Sequence, residues 1–329
     1  MLKGLYILEK EAFNKIYGLS ERKDINRYVD IYAPLQTDKF IRQNLTILNE
    51  AEVIFSAWGG PKMDDVFLDA APNLKAVFYG AGSIRGIVTD DFWDRDIIIT
   101  SAYAANAIPV AEYTLSQILF SLKRGWYYVL NIKEKKKYIT REKVPGAYGS
   151  TVGIISLGMI GRRICKLLKP FDISVIAYSH VSVEKADKLE VKLCSLEEVF
   201  EKADVVSLHT PWLKETEGMI NGEHFQRMKK NATFINTARG AVVREQEMIE
   251  VLKKRPDLYA VLDVTYPEPP EPNSPLYILP NVILTPHISG STDKECRRMG
   301  RYMVEELERY VKNKTLKWKI SREKFKILA

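Results

Sequence analysis

The chain has 329 residues, 46% of them hydrophobic and 28% charged, which is typical of a globular protein with room for two domains. No run of 18 apolar residues predicts a membrane span, and Glu9 and Lys10 follow the strand-like start too closely for a secretion signal. The net charge is +7, but 42 acidic residues mix with 49 basic ones, which favours solvated faces over nucleic-acid binding. Three scattered cysteines lack metal-site spacing and fit a reducing cytoplasm, so we expect a cytoplasmic protein with no metal and no membrane partner.

The first hundred residues alternate between strand-like and helix-like segments. Apolar, β-branched runs predict strands at 2–8, 29–32, 53–57, 74–79 and 97–100. Amphipathic spacing predicts helices at 40–48 and 64–70. Strands that alternate with helices in this way indicate a parallel, doubly wound sheet.

Two glycine-containing loops follow strands of this region. Trp58-Gly59-Gly60-Pro61 follows the third predicted strand, and Gly80-Ala81-Gly82 follows Tyr79 at the end of the fourth. Open α/β sheets bind ligands at the carboxyl ends of their strands, and glycines leave backbone N–H groups accessible to an anion. Tight turns explain the same glycines equally well.

The middle of the chain contains a strong helix and a charged segment. Residues 109–122 form the predicted helix, with Pro109 near its start and apolar residues on most sides. Residues 130–149 are charged and contain Pro145 and Gly146, which predicts a surface arm or connection.

A strand, a glycine turn and a helix follow within 20 residues. Residues 152–155 predict a buried strand, and apolar residues recur at helical spacing after the turn Ser156-Leu157-Gly158-Met159-Ile160-Gly161. A second strand at 173–178 completes a βαβ unit. This geometry presents backbone N–H groups and a positive helix end to a pyrophosphate, so we predict a dinucleotide site.

The alternation then resumes, with strands predicted at 205–208, 233–236, 260–263 and 282–284 and a long helix at 292–311. The basic tail at 316–327 is expected to return to the first domain. The loops after these strands begin with polar or small residues, namely His209-Thr210-Pro211, Thr237-Ala238-Arg239, Asp263 and Thr285-Pro286-His287.

Arg239, Glu268 and His287 lie just beyond strands of one predicted sheet. Arg239 is suited to hold the carboxylate of a 2-oxo acid and to polarise its carbonyl. His287 is suited to exchange a proton with the oxygen while hydride reaches the carbon, and Glu268 to stabilise the imidazolium and orient the ring. Taken singly, each has a simpler role as a helix cap, a solvated carboxylate or a core histidine. Their positions at successive strand ends favour catalysis.

These motifs resemble the D-isomer-specific 2-hydroxyacid dehydrogenases, which include phosphoglycerate dehydrogenases, D-lactate dehydrogenases and glyoxylate/hydroxypyruvate reductases. The resemblance is carried by residues 152–161, 235–240, 262–269 and 284–290, and by the shorter matches 78–82 and 110–112. It implies an α/β fold in which a Rossmann cofactor domain (103–292) is inserted into a flavodoxin-like substrate domain (1–102 plus 293–329). It also implies a homodimer formed through the cofactor domains.

The implied function is NAD(P)-dependent hydride transfer between NAD(H) or NADP(H) and a small 2-oxo acid or D-2-hydroxy acid, with Arg239, Glu268 and His287 as catalytic residues. By the same resemblance, Asp263 binds the nicotinamide carboxamide, and the N–H groups of Ala81 and Gly82 bind the substrate carboxylate. The residues expected at the cofactor are Ser156, Leu157, Gly158, Met159, Ile160, Gly161, Ser179, His180, His209, Thr210, Pro211, Thr237, Ala238 and Asp263. Those expected at the substrate are Trp58, Gly59, Tyr79, Gly80, Ala81, Gly82, Arg239 and His287.

Two residues depart from the family pattern. Ser156 replaces the usual first glycine of the turn, and Ser179 stands where NAD-preferring members carry an aspartate. Without that carboxylate we expect NADP(H) to be accepted at least as well as NAD(H), with His180, Lys185 or Lys188 as sources of positive charge. A dinucleotide-sensing, corepressor-like binding protein on the same fold is the alternative function.

Overall fold

The computed structural model describes residues 1–328 and contains two compact units. Unit 1 consists of Met1–Ala107 and the chain from Ser291 onward, and unit 2 of Ile108–Gly290. The sequence predicts the divisions after residues 102 and 292.

Every strand that the sequence predicts is present, with ends that differ by two residues at most. The strands are β1 (Leu2–Ile7), β2 (Val29–Ile31), β3 (Val53–Ser56), β4 (Ala76–Tyr79), β5 (Ile98–Ser101), β6 (Ser150–Ile155), β7 (Ile173–Tyr178), β8 (Lys192–Leu193), β9 (Val205–Leu208), β10 (Thr233–Asn236), β11 (Tyr259–Leu262), β12 (Val282–Leu284) and β13 (Lys319–Ile320). The helices are α1 (Lys10–Ile16), α2 (Leu19–Ile25), α3 (Asp38–Gln43), α4 (Asp65–Asp69), α5 (Asp90–Asp94), α6 (Tyr103–Leu122), α7 (Gly125–Lys135), α8 (Met159–Leu168), α9 (Val183–Asp187), α10 (Leu196–Lys202), α11 (Gly222–Arg227), α12 (Glu245–Lys254), α13 (Cys296–Val311) and α14 (Arg322–Ile327).

Each unit is built on one sheet. Unit 1 has the strand order β13-β5-β4-β3-β1-β2, whose five parallel strands follow the flavodoxin-like order. The antiparallel edge strand β13 pairs Ile320 with Ile99, which confirms the predicted return of the tail. Unit 2 has the order β12-β11-β10-β9-β6-β7-β8, all parallel, which is the Rossmann arrangement with one further strand. The predicted fold class is therefore confirmed.

The strands of unit 2 are continuous apolar runs because both faces of their parallel sheet are buried. Neighbouring residues of one strand pack into two different cores: Val205 packs with Ile154 and Ile235, whereas Val206 packs with Phe234. Since helices cover both faces, both side-chain rows of each strand are buried, as parallel sheets require. The carboxyl ends of all these strands lie at one edge.

Three helix predictions are wrong in detail. The segment 40–48 is not one helix, because α3 ends before Asn44, whose side-chain amide bonds the carbonyl of Phe40 at 2.9 Å, and a 3₁₀ turn (Leu45–Glu50) follows. Pro109 lies inside α6, not near its start, because α6 begins at Tyr103, whose N–H donates to Ser101 Oγ at 3.3 Å.

The third correction concerns the charged segment 130–149. Its first residues continue helix α7, and only the part beyond Lys136 is an irregular arm. The buried Arg124 pairs with Glu142 of this arm, and Tyr127 Oη donates to the same carboxylate at 3.0 Å. Among residues 1–328, no helix combines the length and apolar character needed to cross a bilayer.

Candidate active site

Three neighbouring strands of unit 2 position the predicted catalytic residues. Arg239 follows β10, Glu268 lies in the loop after β11, and His287 follows β12. His287 Nδ1 lies 2.6 Å from Glu268 Oε1, with the two side chains 47% and 40% exposed. A carboxylate on Nδ1 places the ring's other nitrogen, Nε2, away from the pair and available to exchange a proton. The structure thus brings the predicted partners Glu268 and His287 within hydrogen-bond distance of each other.

The loop that carries His287 is held by Asp263, a buried residue directly after β11. One carboxylate oxygen accepts from Thr285 Oγ1 at 2.6 Å and from the N–H of Ile288 at 2.8 Å, and the other accepts from Ser289 N–H at 2.9 Å. The N–H of His287 also donates to the Asp263 carbonyl at 3.0 Å. The backbone at His287 is left-handed (φ 54°). Asp263 therefore positions the histidine, a role that sequence reasoning missed, although a buried aspartate directly after a strand is a usable signal.

Arg239 is held by its own loop and by the loop after β11. Its Nη1 donates to the Ala238 carbonyl at 2.6 Å, while the Asn236 side chain donates to the carbonyl of Arg239 at 3.1 Å. A Cβ on Gly240 would lie 2.0 Å from the backbone carbon of Thr265, so the two loops pack without space for a side chain. Burial lowers the pKa of the Arg239 guanidinium from its usual value, and nearby Glu268 opposes that shift. No carboxylate in residues 1–328 pairs with this half-buried cation, which leaves its other donors for an anionic ligand.

The two glycines of the turn, Gly158 and Gly161, have different structural reasons. A Cβ on Gly161 would meet the carbonyl oxygen of Ser156 at 2.2 Å, so this glycine lets helix α8 pack on the turn. A Cβ on Gly158 would meet only Ser156 Oγ at 3.9 Å, in open space at the start of α8. The N–H groups of Met159 and Ile160 have no acceptor in the described chain. Internal packing does not require Gly158, whereas close approach of a phosphate to these N–H groups does.

Of the two unusual serines, Ser156 begins the glycine turn and Ser179 contacts it. Ser156 adopts a left-handed conformation (φ 77°), which glycine accepts at lower cost, and its N–H donates to the Tyr178 carbonyl at 2.8 Å. Ser179 Oγ accepts from the N–H of Leu157 at 3.1 Å. The serine at the end of β7 thus connects that strand to the turn, and it places no carboxylate there.

His209 gives a second observation that fits a bound dinucleotide. Its Nε2 lies 2.8 Å from Ser207 Oγ, and its buried Nδ1 has no partner among residues 1–328. Burial lowers the pKa of His209 to about 3, so the ring is neutral at physiological pH. Thr210 and Thr237 are also buried at this edge, whereas His180 is exposed. An unpartnered nitrogen beside the turn is suited to a polar group of the cofactor.

The predicted substrate loops lie in unit 1. Gly59 has a turn conformation (φ 71°), and a Cβ on Gly80 would meet Ile16 and Tyr17 at 2.8 Å, so internal structure accounts for both glycines. The N–H groups of Ala81 and Gly82 have no acceptor in residues 1–328, whereas Ser101 Oγ lies 2.8 Å and 2.5 Å from their carbonyl oxygens. Because Ser101 holds both carbonyl groups in place, the two N–H groups have a fixed orientation and are free to bind an anion.

The remaining predicted substrate residues of unit 1 are Trp58 and Tyr79. Trp58 is 38% exposed, and Tyr79 is buried, which raises the pKa of its phenol to about 12. Within residues 1–328 no three His, Cys, Asp or Glu side chains form a group that could hold a metal ion.

Comparison with known proteins identifies the family. Residues 116–289 match the family model described as "D-isomer specific 2-hydroxyacid dehydrogenase, NAD binding domain". The chain belongs to this family. A D-3-phosphoglycerate dehydrogenase of Archaeoglobus fulgidus is 33% identical over 249 residues, which cover 75% of this chain and 47% of that protein. A glyoxylate reductase of Thermofilum pendens is 32% identical over 282 residues, which cover 81% of this chain and 80% of that protein.

The family assignment extends to the three-dimensional structure. The crystal structure of a D-lactate dehydrogenase from Aquifex aeolicus, complexed with NAD and lactic acid, has a TM-score of 0.72 and 26% identity. That match covers 94% of this chain and 96% of the other. The chain spans about half the length of the first two phosphoglycerate dehydrogenases that it matches, 47% and 51% respectively. The resemblance stated from the motifs is confirmed at the level of the family and its dinucleotide-binding fold.

Proposed function

We propose that this family member is an NAD(P)-dependent reductase of small 2-oxo acids, or equally a dehydrogenase of the matching D-2-hydroxy acids. The observation that carries the proposal is the 2.6 Å His287–Glu268 pair in the loops after β12 and β11, beside the half-buried Arg239 after the next strand, β10. Unit 2 provides the dinucleotide site through Gly158, the free N–H groups of α8 and His209. We also expect the N–H groups of Ala81 and Gly82, whose carbonyl groups are fixed by Ser101, to donate to the substrate carboxylate.

Each catalytic side chain has a defined task. The bound nicotinamide supplies the hydride that reduces the carbonyl carbon. Arg239 binds the substrate through its planar fork and polarises the carbonyl, which a lysine ammonium does less well. His287 transfers a proton from Nε2 to the carbonyl oxygen, so the ketone becomes a hydroxyl group. Glu268 stabilises the charged ring before transfer and keeps Nδ1 in its hydrogen bond.

We also propose that the protein uses NADP(H) at least as well as NAD(H). Ser179 offers no negative charge at the end of β7, and its acceptor oxygen already bonds the Leu157 N–H. An aspartate at this place bonds the ribose hydroxyl and repels a phosphate there. We expect kcat/KM with NADPH to be at least equal to that with NADH, and Ser179→Asp to shift the ratio toward NADH.

A homodimer and a cytoplasmic location belong to the same proposal. Unit 2 exposes several large apolar side chains in and after α6 and α7, namely Phe120, Val129, Tyr138 and Tyr148. Such a surface is suited to a second copy of the chain, which light scattering after size exclusion would detect. The three cysteines are free thiols, as a reducing compartment favours.

Oxidation of NADPH and of NADH with a panel of 2-oxo acids tests the function. We expect turnover with at least one acid, and a D-configured product. Tight dinucleotide binding without turnover of any acid would instead support the sensing protein. The substrate names of the relatives, glyoxylate and 3-phosphoglycerate, guide the choice of panel.

A further inference from the structure

The loop that carries Glu268 has few backbone hydrogen bonds of its own. Four of the seven residues from Tyr266 to Pro272 are prolines, which have no N–H group. Of the other three, Glu268 and Glu271 have N–H groups without an acceptor among residues 1–328. The N–H of Tyr266 donates to Oε2 of Glu245 at 3.1 Å. Within the described chain, the Glu245 side chain is therefore the acceptor that holds this stretch of the loop by its backbone N–H.

Glu245 differs from the other acidic residue in the first turn of α12. Glu247 pairs with Arg244 at 3.2 Å, whereas Glu245 has no cationic partner among residues 1–328. Burial raises the pKa of the Glu245 carboxyl from its usual value, and the hydrogen bond from Tyr266 opposes that shift. A partly buried carboxylate without a cation costs free energy, which the helix N-terminus and this N–H donor offset. The carboxylate is thus directed at the loop and not at a neighbouring charge.

Tyr266 lies where the loops of the candidate site meet. A Cβ on Gly240, directly after Arg239, would lie 2.5 Å from the Tyr266 nitrogen, so the two backbones are in contact. The Tyr266 ring also packs edge-on against Trp212, with 5.3 Å between the ring centroids. The hydrogen bond to Glu245 therefore fixes a residue that is already packed between neighbouring loops.

The segment from Tyr266 to Glu268 is short and stiff. Prolines precede and follow Glu268, and each restricts the backbone. Thr265 Oγ1 donates to the Pro267 carbonyl at 2.8 Å. A displacement of Tyr266 is therefore transmitted to the Glu268 carboxylate, whose Oε1 lies 2.6 Å from His287 Nδ1.

We propose that Glu245 is a positioning residue for the Glu268–His287 pair. By accepting the N–H of Tyr266, it keeps the Glu268 carboxylate at Nδ1 of His287. This inference rests on the function proposed above, and Glu245 acts through the loop instead of on the reacting atoms. A glutamine at position 245 keeps an oxygen that accepts the N–H, whereas an alanine leaves that N–H without an acceptor.

The first measurement needs no turnover. NMR of the full chain with ¹⁵N-labelled histidine, at a pH at which the rings are neutral, shows which nitrogen of each ring carries the proton. The His287 signals are assigned by their loss in His287→Ala. We expect Glu245→Gln to keep the wild-type form with the proton on Nδ1, and Glu245→Ala to shift His287 toward the form with the proton on Nε2. Glu247→Ala is the matched control, because Glu247 also accepts a backbone N–H, that of Gly222 at 2.8 Å.

Steady-state kinetics provide the second measurement, with circular dichroism to verify that each variant is folded. We expect Glu245→Ala to lower kcat about tenfold with unchanged cofactor dissociation constants, and Glu245→Gln to stay within about twofold of the wild type. In a Glu268→Gln background, Glu245→Ala should cause no further loss, because both residues act through one contact.

Two results would overturn the proposal. The first is a wild-type proton position at His287 in Glu245→Ala, and the second is an equal loss of kcat from Glu245→Ala with and without Glu268→Gln. A wild type that reduces no 2-oxo acid would contradict the proposed function instead. The NMR comparison would then still decide whether Glu245 positions Glu268.

Discussion

The two halves of the carboxyl edge of the seven-stranded sheet differ in charge. The loops after β10, β11 and β12 carry Arg239, Glu268 and His287, the set that we propose binds an anion and moves a proton. The ends of β6, β7 and β9 carry Ser156, Ser179 and the neutral His209. We therefore expect substitutions in the first half to lower kcat, and substitutions in the second half to alter dinucleotide binding or stability.

We expect the largest effect from a substitution in the half that carries Arg239, Glu268 and His287. Glu268→Gln should lower kcat by roughly 10²-fold or more, because an amide neither balances the imidazolium nor keeps the ring in one tautomer. Steady-state kinetics with the preferred 2-oxo acid measure it. Glu271→Gln, an exposed carboxylate in the same proline-containing loop, is the matched control. Equal losses in both variants would show that the loop, not the Glu268 carboxylate, matters.

The glycine turn gives a paired prediction for the neutral half. Gly158→Ala should weaken dinucleotide binding about tenfold, while the free energy of unfolding changes by less than about 1 kcal/mol. Gly161→Ala should lower that free energy by about 1–3 kcal/mol, because its methyl group would overlap the Ser156 carbonyl. Fluorescence titration and urea denaturation separate the two effects. If Gly158→Ala bound NADPH normally, the phosphate site would lie elsewhere.

His209 predicts how stability depends on pH. Its pKa is about 3 in the folded chain and near 6.5 when unfolded, so the unfolded state binds more protons between these values. The resulting stability is complete above pH 6.5 and is lost as the pH falls toward 3, at up to ~1.4 kcal/mol per pH unit. His209→Gln should show a shallower loss of unfolding free energy between pH 6.5 and pH 4. Parallel curves for wild type and variant would mean that water reaches the ring.

The smallest expected effect concerns Ser156. Ser156→Gly relieves the left-handed conformation but gives the unfolded chain more freedom, so we expect a gain of less than about 1 kcal/mol in unfolding free energy. Ser156→Val should be less stable than wild type, because a β-branched residue tolerates that conformation poorly. Urea denaturation of the three proteins measures the order. A stable Ser156→Val variant would indicate that the turn relaxes.

The sequence predicts the strands and the convergence of the candidate catalytic residues because both depend on local patterns. A buried parallel strand is a continuous apolar run, and the residue after it lies at the sheet edge. Ser179 and Asp263 show the limit: the first bonds Leu157, 22 residues away, and the second bonds Ile288 and Ser289, 25 and 26 residues away. Such contacts depend on how distant loops pack.

Two of the wrong helix predictions have local causes, at Asn44 and at Pro109. Asn44 ends α3 through a bond of its own side chain to the preceding turn. Hydrophobic spacing continues across it, so the pattern predicts one helix where the structure has two segments. The preference of proline for the first turn of a helix predicts a helix start near Pro109, yet α6 tolerates the loss of one N–H donor at Pro109 in its interior.

The proposed reaction depends most on His287 as the group that exchanges the proton. The decisive measurement is the rate of NADPH and NADH oxidation with the preferred 2-oxo acid for wild type and His287→Ala, together with the dissociation constant of each cofactor. We predict turnover by the wild type, a loss of roughly 10²-fold or more in the variant, and unchanged cofactor affinity. Equal rates for the two proteins, or no turnover by a wild type that binds the dinucleotide tightly, would contradict the account.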